Sequence, residues 1–158
     1  MERIKTIICD KHRNFREACK RILWLESDVE ILAECKTGTE LVPLVKLHQP
    51  DLLLLDERVL SADGMDVLNE IRHCCPGINI LCMTVFLEEG RCKKILEQGI
   101  RGVFEKDRTG YLIPTAIRKV SAGEIWLSRS LFSKLVADSR TRHVRGQRLN
   151  VAPVDCLL

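Results

Sequence analysis

Asp10, Asp56, Thr84 and Lys106 are the residues of this 158-residue chain whose types and placement can do chemistry together. Each closes a short apolar run: Ile-Ile-Cys-Asp10, Leu-Leu-Leu-Leu-Asp56, Leu-Cys-Met-Thr84 and Val-Phe-Glu-Lys106. Taken singly, an acid after a strand is a helix cap and a lysine after a strand is a solvated charge. Taken together, two carboxylates, a hydroxyl and an ammonium suit a carboxylate nucleophile acting on an anionic group. Such a nucleophile needs positive charge beside it to offset the approach of a second anion. Lys106 supplies part of that charge.

These four residues need a scaffold that delivers strand ends to one edge. Apolar runs at 4–9, 29–33, 51–56, 78–83 and 102–105 read as strands. The run at 51–56 is apolar without alternation, as a central parallel strand covered on both faces requires. Between them lie segments of helical period. In the first, Phe15, Cys19, Ile22 and Leu23 share a face. The second opens at Thr37-Gly-Thr39 and runs to about Leu47, with Thr39 as the expected N-cap and Pro43 near its first turn. The third spans 65–73 after a loop, and the next two span 88–98 and 111–120. This alternation predicts an α/β architecture, a doubly wound five-stranded parallel sheet with helices on both faces. In such folds ligands bind outside the carboxyl ends of the strands.

Beyond Gly123 the alternation stops. Ser128 is placed to cap one more helix, with Leu131, Leu135 and Val136 as its apolar stripe. From about Ser139 the sequence is polar and basic, carrying Arg140, Arg142, Arg145 and Arg148. The expected organisation is a domain over 1–121, a linker helix over 122–139 and a flexible basic linker over 140–158.

Composition sets limits. With 46% hydrophobic and 30% charged residues the chain is too apolar for disorder, and a net charge of +3 does not make it a nucleic-acid binder as a whole. None of the eight cysteines makes a C-x-x-C pair, and several sit inside apolar runs, which predicts reduced core thiols in a cytosolic protein. The apolar run after the charged start is too short for a signal peptide or a membrane span. No glycine-rich phosphate loop follows the first strand.

The segments Leu-Leu-Leu-Leu-Asp56-Glu-Arg-Val-Leu-Ser-Ala-Asp63-Gly64, Ile-Leu-Cys-Met-Thr84 and Gly-Val-Phe-Glu-Lys106-Asp resemble the phosphoacceptor, hydroxyl and lysine strands of response-regulator receiver domains, over about residues 1–121. The resemblance implies a flavodoxin-like fold and phosphoryl transfer from a sensor histidine kinase to Asp56, with Lys106 and Thr84 holding the phosphoryl oxygens. It also implies Mg2+ held by Asp10, Asp56 and the backbone carbonyl of Arg58. Ser-Ala-Gly-Glu-Ile-Trp-Leu-Ser128 is similar to the segment that joins receiver to effector in LuxR/NarL-type regulators. That likeness implies a homodimer, DNA contact through a helix-turn-helix domain beyond this sequence, and a chain truncated before it.

The sequence departs from the pattern where the metal is expected. The family usually carries two adjacent acids after the first strand; here the second is matched by Lys11, followed by His12. At an effective dielectric of ~20 a unit charge pair about 4 Å apart is worth roughly 4 kcal/mol, so an inward Lys11 would oppose a divalent ion. It would then pair with Asp10 or Asp56, giving a receiver that is metal-poor or works as a phosphorylation-independent interaction module. An outward Lys11 would leave Asp10 to help bind metal through water. Leu60 stands where a proline is usual, Val103 where an aromatic switch residue is common, and Val85 where a small residue is usual, which predicts slow loss of any aspartyl phosphate. Phe104 cannot substitute for an aromatic at 103, because a one-residue offset reverses strand facing. A related phosphatase chemistry needs an acid two residues after Asp56, and Arg58 occupies that place.

Overall fold

The computed structural model describes residues 2–86, 88–106 and 110–141. Its elements run β1 (Ile4–Cys9), α1 (Arg13–Trp24), β2 (Val29–Cys35), α2 (Gly38–His48), β3 (Leu52–Asp56), α3 (Glu57–Cys74), β4 (Asn79–Thr84), α4 (Glu89–Glu97), β5 (Gly102–Glu105), a 3-10 turn (Gly110–Leu112), α5 (Ile113–Ser121) and α6 (Arg129–Thr141). All five strands pair in parallel in the order β2-β1-β3-β4-β5. The doubly wound parallel sheet expected from the sequence is the fold observed.

Two apolar layers sandwich the sheet. One is built from Ile7, Leu53, Leu55, Cys82 and Val103 with residues of α2, α3, α4 and α6; the other from Ile8, Leu52, Leu54, Met83 and Phe104 with residues of α1 and α5. Alternate residues of one strand therefore enter opposite layers, which is why the central strands are apolar without interruption. Val103 and Phe104 obey the same rule, and Phe104 stacks on Trp126 at 6.3 Å on the face away from Val103. Each fully buried leucine of β3 contributes about 2 kcal/mol by leaving water.

Several boundaries shift from the sequence expectation for local reasons. β2 extends to Cys35, pairing with Cys9. Thr37, not Thr39, caps α2: its hydroxyl accepts the Glu40 amide at 3.3 Å, and Pro43 falls in the second turn. The largest shift concerns α3, which begins at Glu57 with no preceding loop. Asp56 is its N-cap, accepting the Arg58 amide at 3.1 Å, and Ser61 bonds back to the Glu57 carbonyl. With Leu60 in place of a proline, nothing in Glu57-Arg-Val-Leu-Ser-Ala interrupts a helix.

Ser128 caps α6 as expected, its hydroxyl accepting the Leu131 amide at 3.3 Å. Leu127 and Leu131 are buried in the layer that α4 also covers. Gly102 lets Trp126 lie against β5, since a Cβ there would meet Trp126 Cβ at 3.0 Å and Leu81 Cδ1 at 2.8 Å. Of the basic linker expected over 140–158, the first two residues belong to α6 and the rest lie outside the described residues.

Candidate functional site

Asp10 follows β1 directly, Asp56 and Thr84 are the last residues of β3 and β4, and Lys106 follows β5. Because β1, β3, β4 and β5 are neighbours in one parallel sheet, their carboxyl ends share an edge. Asp10, Asp56 and Thr84 are all at most 2% exposed. Lys106 reaches between the two acids, its Nζ 2.5 Å from Asp10 Oδ2 and 3.5 Å from Asp56 Oδ2. The same ammonium lies over the Phe15 ring, 4.4 Å from its centroid, a cation–π contact that fixes its aliphatic stem. The Lys106 amide donates to the Thr84 carbonyl at 2.7 Å, which holds the two strand ends together.

The two carboxylates are not equivalent. Asp10 Oδ1 accepts the His12 amide at 2.7 Å and faces His12 Nδ1 at 3.4 Å, while Oδ2 takes Lys106. Asp56 Oδ1 accepts the Arg58 amide, and among the described residues its Oδ2 has no hydrogen-bond partner. A buried carboxylate oxygen left without a hydrogen bond is costly, so Asp56 Oδ2 has capacity for a further partner. Thr84 Oγ1 donates to the Phe86 carbonyl at 3.1 Å, so its hydroxyl is turned into its own loop.

Sequence reasoning gave no role to Arg16 or Arg91, and of Arg58 it used the backbone carbonyl and the position, not the guanidinium. Arg16 is 5% exposed, and its Nη1 donates to the Asp10 carbonyl at 2.7 Å while Nε lies 3.4 Å from Glu34. The signal was there: Arg16 lies on the same helical stripe as Cys19 and Leu23, where a cation needs a partner. Arg58 Nη1 lies 3.3 Å from His12 Nε2, and His12 Nδ1 faces Asp10. Arg91 of α4 pairs with Glu57 and with Ser61, tying α4 to the first turns of α3. Lys11 is exposed, so the ammonium inside the cleft is that of Lys106.

Asp10, His12 and Asp56 bring one ligand atom each within 4.8 Å of one another, so a cation could be held there. The oxygen set implied for magnesium does not form. Both Asp10 oxygens are engaged and Arg58 lies in the first turn of α3, whereas the exposed Lys11 takes the outward arrangement that leaves Asp10 able to meet a metal through water. A helical carbonyl points along the axis towards the C-terminus, so the Arg58 oxygen is aimed away from the strand edge. Magnesium is usually held by one or two free carboxylates with waters completing the octahedron, and here the Asp10 carboxylate is already taken by the His12 amide and Lys106.

Buried thiols surround the site without joining it. Burial pushes the Cys19 thiol up to about 12 and the Cys92 thiol up to about 11. Cys9 and Cys35 are neighbours on β1 and β2, and the contact between their thiols raises the Cys9 thiol, with burial raising it further.

Residues 6–118 match the family described as Response regulator receiver domain. The chain is 30% identical to the response regulator protein VraR of Staphylococcus aureus over 121 residues, 77% of this chain and 58% of that protein. It therefore spans less than two thirds of the length of such relatives. Its fold is similar to the signal receiver domain of the response regulator NarL from Mycobacterium tuberculosis, with a TM-score of 0.71 at 30% identity, covering 78% of this chain and 100% of that one. A LuxR-family two-component response regulator from Aurantimonas sp. SI85-9A1 superposes with a TM-score of 0.78 at 21% identity, covering 89% of this chain and 100% of that one. Among the described residues no helix is long and apolar enough to cross a membrane.

Proposed function

The chain belongs to the response regulator receiver domain family, and from that premise we propose that it is a phospho-switch in which Asp56 accepts a phosphoryl group. One observation supports this above the others: Asp56 Oδ2 is buried, without a hydrogen bond, and 3.5 Å from the Lys106 ammonium. The oxygen attacks phosphorus, and Lys106 offsets the charge that arrives. Asp10 holds Lys106 in the cleft, and Arg16 fixes the Asp10 backbone. Thr84 takes part by leaving the Phe86 carbonyl and donating to a phosphoryl oxygen, which moves the 84–86 segment and reports the modification to the surface.

The donor is a phosphohistidine of a sensor histidine kinase in the cytoplasm, and the output is control of a DNA-binding effector joined beyond α6, with a homodimer as the active form. The protein is a switch whose only chemistry is on itself. Incubation with a small acyl phosphate, followed by intact mass, tests this: the wild type gains one phosphoryl group and Asp56→Asn gains none. A chain that stays unmodified points to the second reading, a phosphorylation-independent interaction module. That reading draws support from the Lys106–Asp10 pair, which already fills the cleft with an internal cation.

A further inference from the structure

The backbone that leaves Asp56 carries the opposite sign from the one a metal site needs. A carbonyl aimed at the cleft attracts a cation, whereas the first turn of a helix presents its unpaired amides and the positive end of its dipole. α3 begins at Glu57, so the amides of its first turn face Asp56, and the Arg58 amide already bonds Asp56 Oδ1. Phosphate binds readily at such helix ends. The second observation is the side chain itself: among the described residues Asp56 Oδ2 accepts no hydrogen bond, is buried, and lies 3.5 Å from the Lys106 ammonium.

The side chains agree in sign. Asp10 and Asp56 are the two anions of the cleft, and Lys106 and Arg58 stand as two cations against them. The position that would add a third acid carries Lys11. Arg58 is exposed, with its guanidinium resting on His12 at the mouth of the cleft. A single 3.3 Å contact to an imidazole nitrogen holds it there, and a doubly charged oxyanion group on Asp56 would hold it more strongly through charge-assisted hydrogen bonds.

We propose that the Asp56 cleft is a metal-independent phosphoryl site, in which the first turn of α3, Lys106 and the Arg58 guanidinium together replace a divalent cation. The inference rests on Asp56 being the phosphoacceptor. In the reaction an Asp56 oxygen bonds to the phosphorus of an acyl phosphate. The bond from phosphorus to the bridging oxygen breaks, and the donor's carboxylate leaves with the electron pair. Arg58 releases His12 and donates to the phosphoryl oxygens, and His12 remains against Asp10.

The test is the rate of labelling of the full chain by acetyl phosphate, read by intact mass in EDTA and in excess magnesium, for wild type, Arg58→Ala, Arg58→Lys and Asp56→Asn. The expected result is equal wild-type labelling in both buffers, abolished in Asp56→Asn. Arg58→Ala should slow it about tenfold or more in EDTA, the effect of losing one charge-assisted hydrogen bond, with partial recovery in Arg58→Lys. Labelling that requires magnesium would overturn the proposal and leave Asp56 as the phosphoacceptor. Labelling in neither buffer would overturn both. An Arg58→Ala protein that labels in EDTA as fast as wild type would remove Arg58 from the site; because Arg58 is exposed, an unchanged circular dichroism spectrum is expected and shows that the variant is folded.

Discussion

Lys106 Nζ sits 2.5 Å from Asp10 and 3.5 Å from Asp56, so the ammonium is anchored on Asp10 and only leans towards Asp56, the proposed phosphoacceptor. The pair is almost fully buried, at 9% and 1% side-chain exposure. Removing one partner of a buried ion pair leaves the other uncompensated. Lys106→Met is therefore expected to lower unfolding stability at neutral pH by about 3 kcal/mol, measured by urea denaturation. A loss within error of zero would show that water already screens the pair.

Thr84→Val separates the chemistry from its readout. Among the described residues the hydroxyl bonds only the Phe86 carbonyl, so the variant should lose about 1 kcal/mol of stability and still take up phosphoryl on Asp56. Hydrogen exchange of the segment that includes Phe86 should change on labelling in the wild type and stay constant in the variant.

Gly102→Ala tests how closely α5 and Trp126 approach β5. A Cβ there meets Leu81, Val120 and Trp126 side chains at 3.1 Å or less. Overpacking of this kind costs about 1–3 kcal/mol, visible as a lower thermal midpoint.

Arg118 forks onto Asp28 at 2.7 and 2.8 Å and also pairs with Glu26, joining α5 to the turn after α1. The guanidinium holds the Asp28 carboxyl below its ordinary value of 3.8. A depressed folded-state value means stability that is fully present above 3.8 and is lost as pH falls through the lower folded value. Arg118→Ala should cost under about 1 kcal/mol at neutral pH, because the pair is partly exposed, and nothing once Asp28 is protonated. Denaturation curves across acidic pH check the convergence.

The buried thiols should be inert. With Cys19 raised to about 12 and Cys92 to about 11, both stay protonated at pH values near 8 and cannot act as nucleophiles. Alkylation of the native chain followed by peptide mapping should spare them and label them only after unfolding.

The sequence carried the sheet and the four strand-end residues because both follow from one signal, an apolar run closed by a polar residue. It did not carry the start of α3. Asp56-Glu-Arg-Val-Leu-Ser reads equally as a loop, and only the N-cap geometry of Asp56, with Leu60 in place of a proline, turns it into helix. As part of the helix, the Arg58 carbonyl runs along the axis away from the strand edge, where a loop could have turned it into the cleft. Thr37 and Thr39 are equally good caps by composition, and the end of β2 at Cys35 decides between them. The Arg58–His12 contact joins residues 46 apart in sequence and had no local signal.

The most direct test of the central claim is where the phosphoryl group sits. Borohydride reduces an aspartyl phosphate to homoserine, so the labelled chain should yield a single homoserine at position 56 on peptide mapping, and none without donor. A labelled chain with Asp56 intact and the phosphoryl group on another side chain would contradict the account.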